Sequence, residues 1–206
     1  MTRILHVIGS PKGPESSSTQ IADAFLDECR RLDPEAEVGV KDVWARDMPP
    51  FGRDAAIAKL APLVGDALTP EQEQGWKRVT DVIADFASYD KIVISTPMWN
   101  FSVPYALKHY IDLLVQPGIT FGLNDAFEHI GLLVDRPVQL ILTRSSAFAE
   151  GSPEDFQLSY LRHVLKFIGL EDVRALVVEG TTLPSDARTA FIENKCVAAR
   201  AAAAEF

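Results

Sequence analysis

The chain has 206 residues, of which 47% are hydrophobic and 24% are charged, and it carries a formal net charge of −9. This composition supports one sizeable hydrophobic core, so we expect a single domain over residues 1–206. The acidic balance argues against nucleic acid or an anionic membrane as a partner, because binding to phosphate groups depends on clustered Lys and Arg.

No targeting segment, membrane segment or metal site is predicted. The sequence starts MTRILHVIGS, in which the apolar run is too short for a signal peptide, and no later stretch has the length of a membrane span. Cys29 and Cys196 stand singly, without CxxC spacing or clustered histidines, which argues against a redox dithiol or a zinc site. We therefore expect a cytoplasmic protein without a bound metal.

Five apolar runs predict five β-strands. Near-continuous apolar residues bounded by turn signals are typical of parallel strands that are covered on both faces. The first run is followed by Gly-Ser-Pro, which marks the end of the strand. The runs are residues 3–9, the valines Val38, Val40 and Val43, KIVIST from Lys91, VQLILT from Val138, and VRALVV from Val173.

Helical patterns lie between these runs, and the clearest covers residues 70–88, where apolar residues recur along one stripe. Thr69 and Gln72 have the spacing of a capping box, and the proline between them suits the first helical position. Ser152 and Ser185 are candidate caps of the last two helices. The other helices are predicted over residues 18–32, 104–115, 153–168 and 184–204.

Strands that alternate with helices through short, right-handed crossovers form a doubly wound parallel sheet. Five strands fit the flavodoxin-like order 2-1-3-4-5 better than the six-stranded dinucleotide-binding fold. Ligands of such α/β folds bind beyond the carboxyl ends of the strands, at the switch point between the first and third strands. The loops after strands one, three and four are therefore expected to lie side by side and to form a site.

The first of these loops reads Ser10-Pro-Lys-Gly-Pro-Glu-Ser-Ser-Ser-Thr and enters the next helix near Ser18. Its hydroxyls and the unpaired N–H groups of a helix start predict an anion cradle. The loop lacks GxxxxGK[ST] and GxGxxG, so a single terminal phosphate fits better than a triphosphate or a pyrophosphate. The alternative is a solvated serine loop that only caps a helix. The candidate ligands are Ser10, Ser16, Ser17 and Ser18.

The second loop holds two large aromatic residues and a thioether where a surface loop is normally polar. It reads Pro97-Met98-Trp99-Asn100-Phe101 and follows the third strand directly. A planar heterocycle lying across it would gain apolar burial and stacking, and Asn100 and the main chain could bind the ring nitrogens and carbonyls. The alternative is that Trp99 and Phe101 pack beneath the following helix as part of the core.

The third loop, Thr143-Arg144-Ser145-Ser146-Ala147, offers hydroxyls, backbone amides and one cation beside the same edge. Donors there could stabilise negative charge on a reduced ring. Taken alone this string is uninformative, and its weight comes from being the third neighbour at the switch point. None of the 4 histidines is predicted to be catalytic.

The succession of cradle serines, PMWNF, GITF at residues 118–121 and TRSS resembles the bacterial FMN-dependent NADH-azoreductases, relatives of the mammalian quinone reductases. The similarity extends over nearly the whole chain. Its most specific element is Pro-Met-aromatic-Asn-Phe followed shortly by Leu-Lys-x-Tyr-x-Asp, which occurs here at residues 107–112.

The resemblance implies an FMN enzyme that takes electrons from NADH or NADPH and passes them, two at a time in a ping-pong cycle, to a quinone or an azo compound. N5 of FMN carries this chemistry, so no catalytic side chain is expected. The family pattern implies that Ser10 and Ser16 to Ser18 hold the FMN phosphate and ribityl chain. It also implies that Met98 to Phe101 meet the isoalloxazine ring and that Thr143 to Ser146 border its far edge.

The resemblance further implies a homodimer with both active sites at the interface, for which Phe121 and Phe127 are candidate pocket walls. One departure concerns the third loop, which usually reads Ser-Arg-Gly-Gly in this family, whereas Ser145 and Ser146 stand here. Glycine allows close backbone approach and positive φ, so two serines can shift the ring or narrow the pocket.

Two other functions stay open at the level of the sequence. A flavodoxin-type electron carrier is compatible with the net charge of −9. Relatives of this family have also been labelled acyl carrier protein phosphodiesterases. We rank the hydrolase last, because the chain has no GxSxG elbow and because an acidic protein is a poor receptor for an acidic carrier.

Overall fold

The computed structural model describes residues 1–149 and 151–206, and its centre is a five-stranded parallel sheet. The strands in chain order are β1 Arg3–Ile8, β2 Glu37–Asp42, β3 Lys91–Pro97, β4 Phe121–Leu123, β5 His129–Gly131, β6 Val138–Thr143 and β7 Val173–Val178. The central sheet has the order β2-β1-β3-β6-β7, and each neighbouring pair is parallel. The predicted flavodoxin-like order 2-1-3-4-5 is therefore confirmed, since β4 and β5 form a separate hairpin.

The helices lie between the strands of the sheet, as expected for a doubly wound fold. Four of the predicted helices agree with α1, α3, α4 and α6 to within one residue at each end, and the predicted capping box of Thr69 and Gln72 is present. A short 3-10 turn, Gly13–Glu15, precedes α1. The helices are α1 Ser17–Leu32, α2 Arg53–Val64, α3 Pro70–Ala87, α4 Tyr105–Leu114, α5 Phe156–Phe167 and α6 Ser185–Ala203.

The start of α5 differs from the prediction. We expected the helix to begin at residue 153 with Ser152 as its cap, but the cap is Asp155, whose carboxylate accepts the N–H groups of Gln157 and Leu158. A carboxylate placed at the N-cap stabilises the first turn, so the chain becomes helical only after it. For α6, Pro184 stands at the N-cap position, and the Ser185 side chain lies outside the described residues.

Helix α2 was not predicted, because its buried face is built from small side chains. Ala55, Ala58 and Ala61 are buried at intervals of three residues, a stripe too weakly apolar to stand out in the sequence. The small residues let α2 approach α3 closely. At Gly75 of α3, an added Cβ would lie 3.3 Å from the backbone nitrogen of Ala55.

The antiparallel hairpin of β4 and β5 was also not predicted, since each strand has only three residues. The hairpin packs against the C-terminal end of α5. The ring centroid of Phe121 lies 4.7 Å from that of Phe167, and a Cβ added to Gly131 would overlap the backbone of Gly169. Because α5 runs from the carboxyl end of β6 towards the start of β7, the hairpin lies at the amino-terminal edge of the sheet.

The central strands face two cores. Leu5 and Val7 of β1 pack in the core that contains α3, α4 and α5, whereas Ile4 of β1 and Val93 of β3 pack in the core that contains α1 and α6. Both faces of the sheet are thereby covered, as is typical of parallel sheets. Polar and exposed aromatic residues are consequently concentrated in the loops at the ends of the strands.

No described helix is long and apolar enough to cross a membrane. The described residues contain no group of three or more His, Cys, Asp or Glu side chains that could hold a metal ion. Cys29 and Cys196 are both unpaired, and burial raises the pKa of the Cys29 thiol to about 11. Cys29 is therefore a protonated, inert thiol at neutral pH.

Candidate functional site

The carboxyl ends of β1, β3 and β6 lie in close contact. The N–H of Gly9 donates to the carbonyl of Ser95 at 2.8 Å, and a Cβ added to Gly9 would lie only 2.8 Å from the Cβ of Thr96. On the other side of β3, the N–H of Met98 donates to the carbonyl of Thr143 at 2.8 Å. The three loops therefore emerge side by side, as the topology requires.

A serine cradle surrounds the start of α1, and all of its hydroxyl-bearing residues are buried. The hydroxyls of Ser16 and Ser18 lie 3.0 Å apart, and the hydroxyl of Ser16 caps none of the first N–H groups of the helix. Within the described part of the chain, the buried hydroxyl of Thr19 has no hydrogen-bond partner. Buried hydroxyls beside the unpaired N–H groups of a helix start form an anion-binding site. The cradle consists of Ser10, Ser16, Ser17 and Ser18.

A cavity of about 290 Å³ opens beside the serine cradle. Its lining combines the first loop with the ends of β3 and β6 and with the connection between β7 and α6. Lys12 and Arg188 bring two positive charges, and none of the lining residues that the structure describes is acidic. We name this space the cradle cavity.

Arg188 was missed by the sequence analysis. Its Nη2 donates to the hydroxyl of Ser17 at 3.1 Å, although the two residues are 171 positions apart in the chain. The one signal available in the sequence was topological, because a helix that follows the last strand of the sheet must also begin at the carboxyl edge. Nothing in the local pattern around Arg188 indicated that its side chain would reach the first loop.

Residues 98–102 form a tight turn that presents aromatic side chains, which we name the aromatic turn. Trp99 and Ser102 exchange two backbone hydrogen bonds of 2.9 Å each. The residues between them, Asn100 and Phe101, have φ values of 46° and 70°, as in a type I′ turn. Trp99 is 39% exposed and Phe101 is 53% exposed, so neither packs as core beneath α4.

Trp44 extends this aromatic surface. It was missed in the sequence because it lies in the loop after the second strand, which is not one of the three loops expected at the site. Its indole lies 5.7 Å from that of Trp99 and 5.0 Å from the ring of Tyr105, between ring centroids. Its Nε1–H donates to the carbonyl of Gly9 at 3.1 Å. Trp44 therefore joins the first loop to the aromatic turn.

Arg144 of the third loop is buried and bound by protein groups. Its Nη2 lies 2.7 Å from the carboxylate of Asp155, its Nε donates to Gln157 at 3.1 Å, and Glu179 lies 3.7 Å away. Its backbone N–H donates to the carbonyl of Val178 at the end of β7, and its carbonyl accepts the N–H of Thr181 in the following loop. We expected this cation to face a ligand, but its contacts among the described residues hold the third loop in place.

Ser145 and Ser146 occupy an exposed bend of the third loop. Neither residue has a positive φ, so the backbone conformation at these positions does not require glycine. The departure from the family's Gly-Gly pattern is therefore accommodated without backbone strain. The added side chains contribute two hydroxyl groups beside the end of β6.

Residues 2–202 match a family model described as a flavodoxin-like fold. An FMN-dependent NADH:quinone oxidoreductase of Nitratidesulfovibrio vulgaris is 43% identical over 184 residues, which cover 88% of both chains. Another, from Ruegeria pomeroyi, is 36% identical over 195 residues, covering 93% of this chain and 95% of that one. The chain belongs to the FMN-dependent NADH:quinone oxidoreductase family. The resemblance deduced from the loop motifs is thereby confirmed.

Solved structures show the same fold. An azoreductase from Bacillus anthracis superimposes with a TM-score of 0.87 at 24% identity, and the match covers 100% of both chains. An FMN-dependent NADH-azoreductase from the same organism, in complex with FMN, gives a TM-score of 0.86 at 23% identity over 100% of this chain and 99% of that chain. These likenesses agree with the sheet order described above.

The residues at the carboxyl edge fit the FMN that the family name implies. A phosphate dianion requires hydroxyl and N–H donors, and the serine cradle supplies them together with the unpartnered hydroxyl of Thr19. A flat apolar ring binds to an accessible aromatic surface, and the exposed side chains of Trp99 and Phe101 supply one next to the cradle. The cations lining the cradle cavity complement a negative ligand.

Phe121 and Phe127 are not brought to this edge within one chain. Both belong to the β4–β5 hairpin at the opposite edge of the sheet, where Phe121 packs on Phe167. Phe127 lies between the two strands of the hairpin and is 84% exposed, with a positive φ of 61°. A single chain therefore has no direct contact between these side chains and the aromatic turn.

The histidines do not form an acid–base site at the carboxyl edge. Burial, reinforced by the charge of Arg30, lowers the pKa of His6 to about 4, and its Nε2 lies 2.9 Å from the hydroxyl of Ser95. Nε2 of His109 accepts the N–H of Phe51 at 3.4 Å. None of the four histidines lines the described part of the cradle cavity.

Proposed function

We propose that this chain is an FMN-dependent NAD(P)H oxidoreductase that reduces quinones, azo compounds or both in a ping-pong cycle. The observation that carries the proposal is the buried serine cradle directly beside an exposed aromatic turn, in a chain 43% identical to an FMN-dependent NADH:quinone oxidoreductase. The proposal includes a single domain over residues 1–206, supported by the family match over residues 2–202. It also places the protein in the cytoplasm, with which the two unpaired cysteines are compatible.

The chain's own residues would hold FMN in three ways. Ser10 and residues 16–18 would bind the phosphate and ribityl chain through hydroxyls and helix N–H groups. Residues 97–101 would support the flat face of the ring, and residues 143–146 would border its far edge. When bound, FMN supplies two-electron transfer between NAD(P)H and the acceptor.

The protein's contribution to turnover is binding, orientation and exclusion of water, because no described side chain is arranged as a dedicated acid or base. His6 is neutral at physiological pH and is hydrogen-bonded within the sheet. Protons for a quinone oxygen or an azo nitrogen would then come from water. The rate should accordingly depend weakly on pH between pH 6 and 8.

We further propose a homodimer in which the partner's hairpin completes each active site. Trp99, Phe101 and Tyr105 are exposed at one edge of the sheet, and Phe127 is exposed at the other. A second copy could place its hairpin over the aromatic turn, which would cover apolar surface on both chains. Phe121 and Phe127 would then form walls of the partner's substrate pocket.

The simplest test is a visible absorption spectrum of the purified protein. We expect a yellow protein with flavin bands that bleach on addition of NADH and return when a quinone such as menadione or an azo dye is added. A protein that is colourless and does not take up added FMN would exclude the proposed function. Bleaching without reoxidation by either acceptor would exclude the proposed substrates but not the flavin.

A further inference from the structure

We propose that Arg188 binds the phosphate of FMN and makes the affinity for flavin depend on that phosphate. The inference rests on the proposed function, because it concerns the same site. The family resemblance assigns the phosphate to the serines of the first loop alone, whereas Arg188 lies in the first turn of α6.

The contacts of Arg188 place its guanidinium at the serine cradle. Its Nη2 donates to the hydroxyl of Ser17 at 3.1 Å and to the carbonyl of Glu15 at 3.3 Å. The backbone N–H of Arg188 donates to the carbonyl of Pro184 at 2.9 Å, which fixes the residue in the helix. A guanidinium presents five donors in a planar fork that matches phosphate oxygens, so a cation held here is suited to a dianion.

The electrostatics of the cradle cavity support the same assignment. The chain as a whole carries a net charge of −9, yet the described lining of this cavity contains Lys12 and Arg188 and no carboxylate. Lys12 is exposed, whereas Arg188 is half-buried where α6 meets the first loop. Solvent screens an exposed charge more strongly than a half-buried one, so Arg188 should contribute more of the attraction for phosphate.

The test compares FMN with riboflavin, which has the same ring and ribityl chain but no phosphate. In the full-length apoprotein, Arg188→Met should raise the Kd for FMN about tenfold or more and leave the Kd for riboflavin within about twofold of the wild-type value. Arg188→Lys should give an intermediate loss, since the charge remains but the fork is lost. Added salt should weaken FMN binding less in Arg188→Met than in the wild type.

Arg200→Met is the matched control. Arg200 lies on the same helix, and its substitution removes the same charge. Both arginines line a neighbouring cavity between the first loop, α1 and α6, but of the two only Arg188 lines the cradle cavity. The FMN and riboflavin affinities of Arg200→Met should therefore equal those of the wild type. Titration by flavin fluorescence quenching or calorimetry gives both affinities without any measurement of turnover, and thermal melting of each apoprotein checks folding. Should Arg188→Met fail to fold, Arg188→Gln and Arg188→Lys serve for the same comparison.

Two results would overturn the inference: an Arg188→Met protein that keeps the full wild-type preference for FMN, or one that loses FMN and riboflavin affinity in equal measure. The second result would assign Arg188 a structural role. A wild-type protein that binds neither flavin would instead refute the proposed function. The two failures are thus distinguishable in one set of titrations.

Discussion

Arg144 and Arg188 are both cations at the carboxyl edge of the sheet, but their surroundings differ. Arg144 is 4% exposed, with the carboxylate of Asp155 at 2.7 Å. The contacts described for Arg188 are with a hydroxyl and a backbone carbonyl. A buried cation paired with carboxylates is neutralised by the protein and fixes loops in place. A cation whose contacts are uncharged keeps its charge for an external anion.

We expect Arg144→Met to lower the free energy of unfolding by about 3 kcal/mol, because it leaves the largely buried carboxylate of Asp155 without its partner. Urea denaturation measures this loss. The double variant Arg144→Met/Asp155→Asn should be less destabilised than the sum of the two single variants. Additive losses would show that the pair does not act as a unit.

His6 gives a prediction about pH. Burial first, and the charge of Arg30 second, lower its pKa from 6.5 to about 4, so the unfolded chain binds a proton in this range while the folded chain does not. His6 therefore contributes fully to the free energy of unfolding above pH 6.5. As the pH falls from 6.5 to 4, this contribution decreases by about 3 kcal/mol.

The measurement is the free energy of unfolding of the wild type and of His6→Gln between pH 7 and pH 4. The variant should lose less stability over this interval, because it has no imidazole to protonate, while its amide can still bond to Ser95. His163→Gln removes an exposed histidine and should follow the wild type. If the free energy of unfolding falls equally with pH in the wild type and in His6→Gln, the lowered pKa of His6 is contradicted.

At the scale of elements, the agreement between sequence and structure depends on how large the buried side chains are. The strands of the central sheet have apolar runs and helices α1, α3 and α4 have apolar stripes, and all were predicted, as was α6, where Ile192 is buried together with Ala199 and Ala203. The buried stripe of α2 is made of alanines, and β4 and β5 are three residues each, so these elements have no strong periodic signal. Their positions depend on close backbone packing instead.

The hairpin offers a test of this close packing. We expect Gly131→Ala to cost about 2–4 kcal/mol, because the new methyl group would overlap the backbone of Gly169 and force the hairpin away from α5. Gly122→Ala is the control in the facing strand, where the new Cβ would lie 3.4 Å from the movable side chain of Leu132. Equal stability of the two variants in urea would show that the hairpin is not docked as described.

At the scale of the whole molecule, the proposed homodimer would bring the aromatic turn of one chain against Phe127 of the hairpin of the other chain. Phe127→Ser should leave the fold intact, because Phe127 is 84% exposed, but it should raise the KM for a quinone about fivefold if the side chain lines the partner's pocket. Val197→Ser removes another exposed apolar side chain, on α6, and should change neither the fold nor the KM for the quinone.

Sedimentation of the holoprotein complements these kinetics. A dimeric wild type together with a raised KM for Phe127→Ser would support the shared active site. A monomeric protein would contradict the homodimer. A dimer in which Phe127→Ser has an unchanged KM would exclude this residue from the pocket while leaving the assembly in place.

The sequence by itself determined the strands of the central sheet and the helices other than α2, the flavodoxin-like topology and the three loops at the switch point. Apolar periodicity reports burial directly, and a parallel sheet with short crossovers leaves few possible strand orders. Only the tertiary structure decided which side chains meet at the site: Arg188 and Trp44 approach the first loop, and Arg144 turns to Asp155. Such contacts depend on strand register and helix orientation, and the residue spacing along the chain does not encode them.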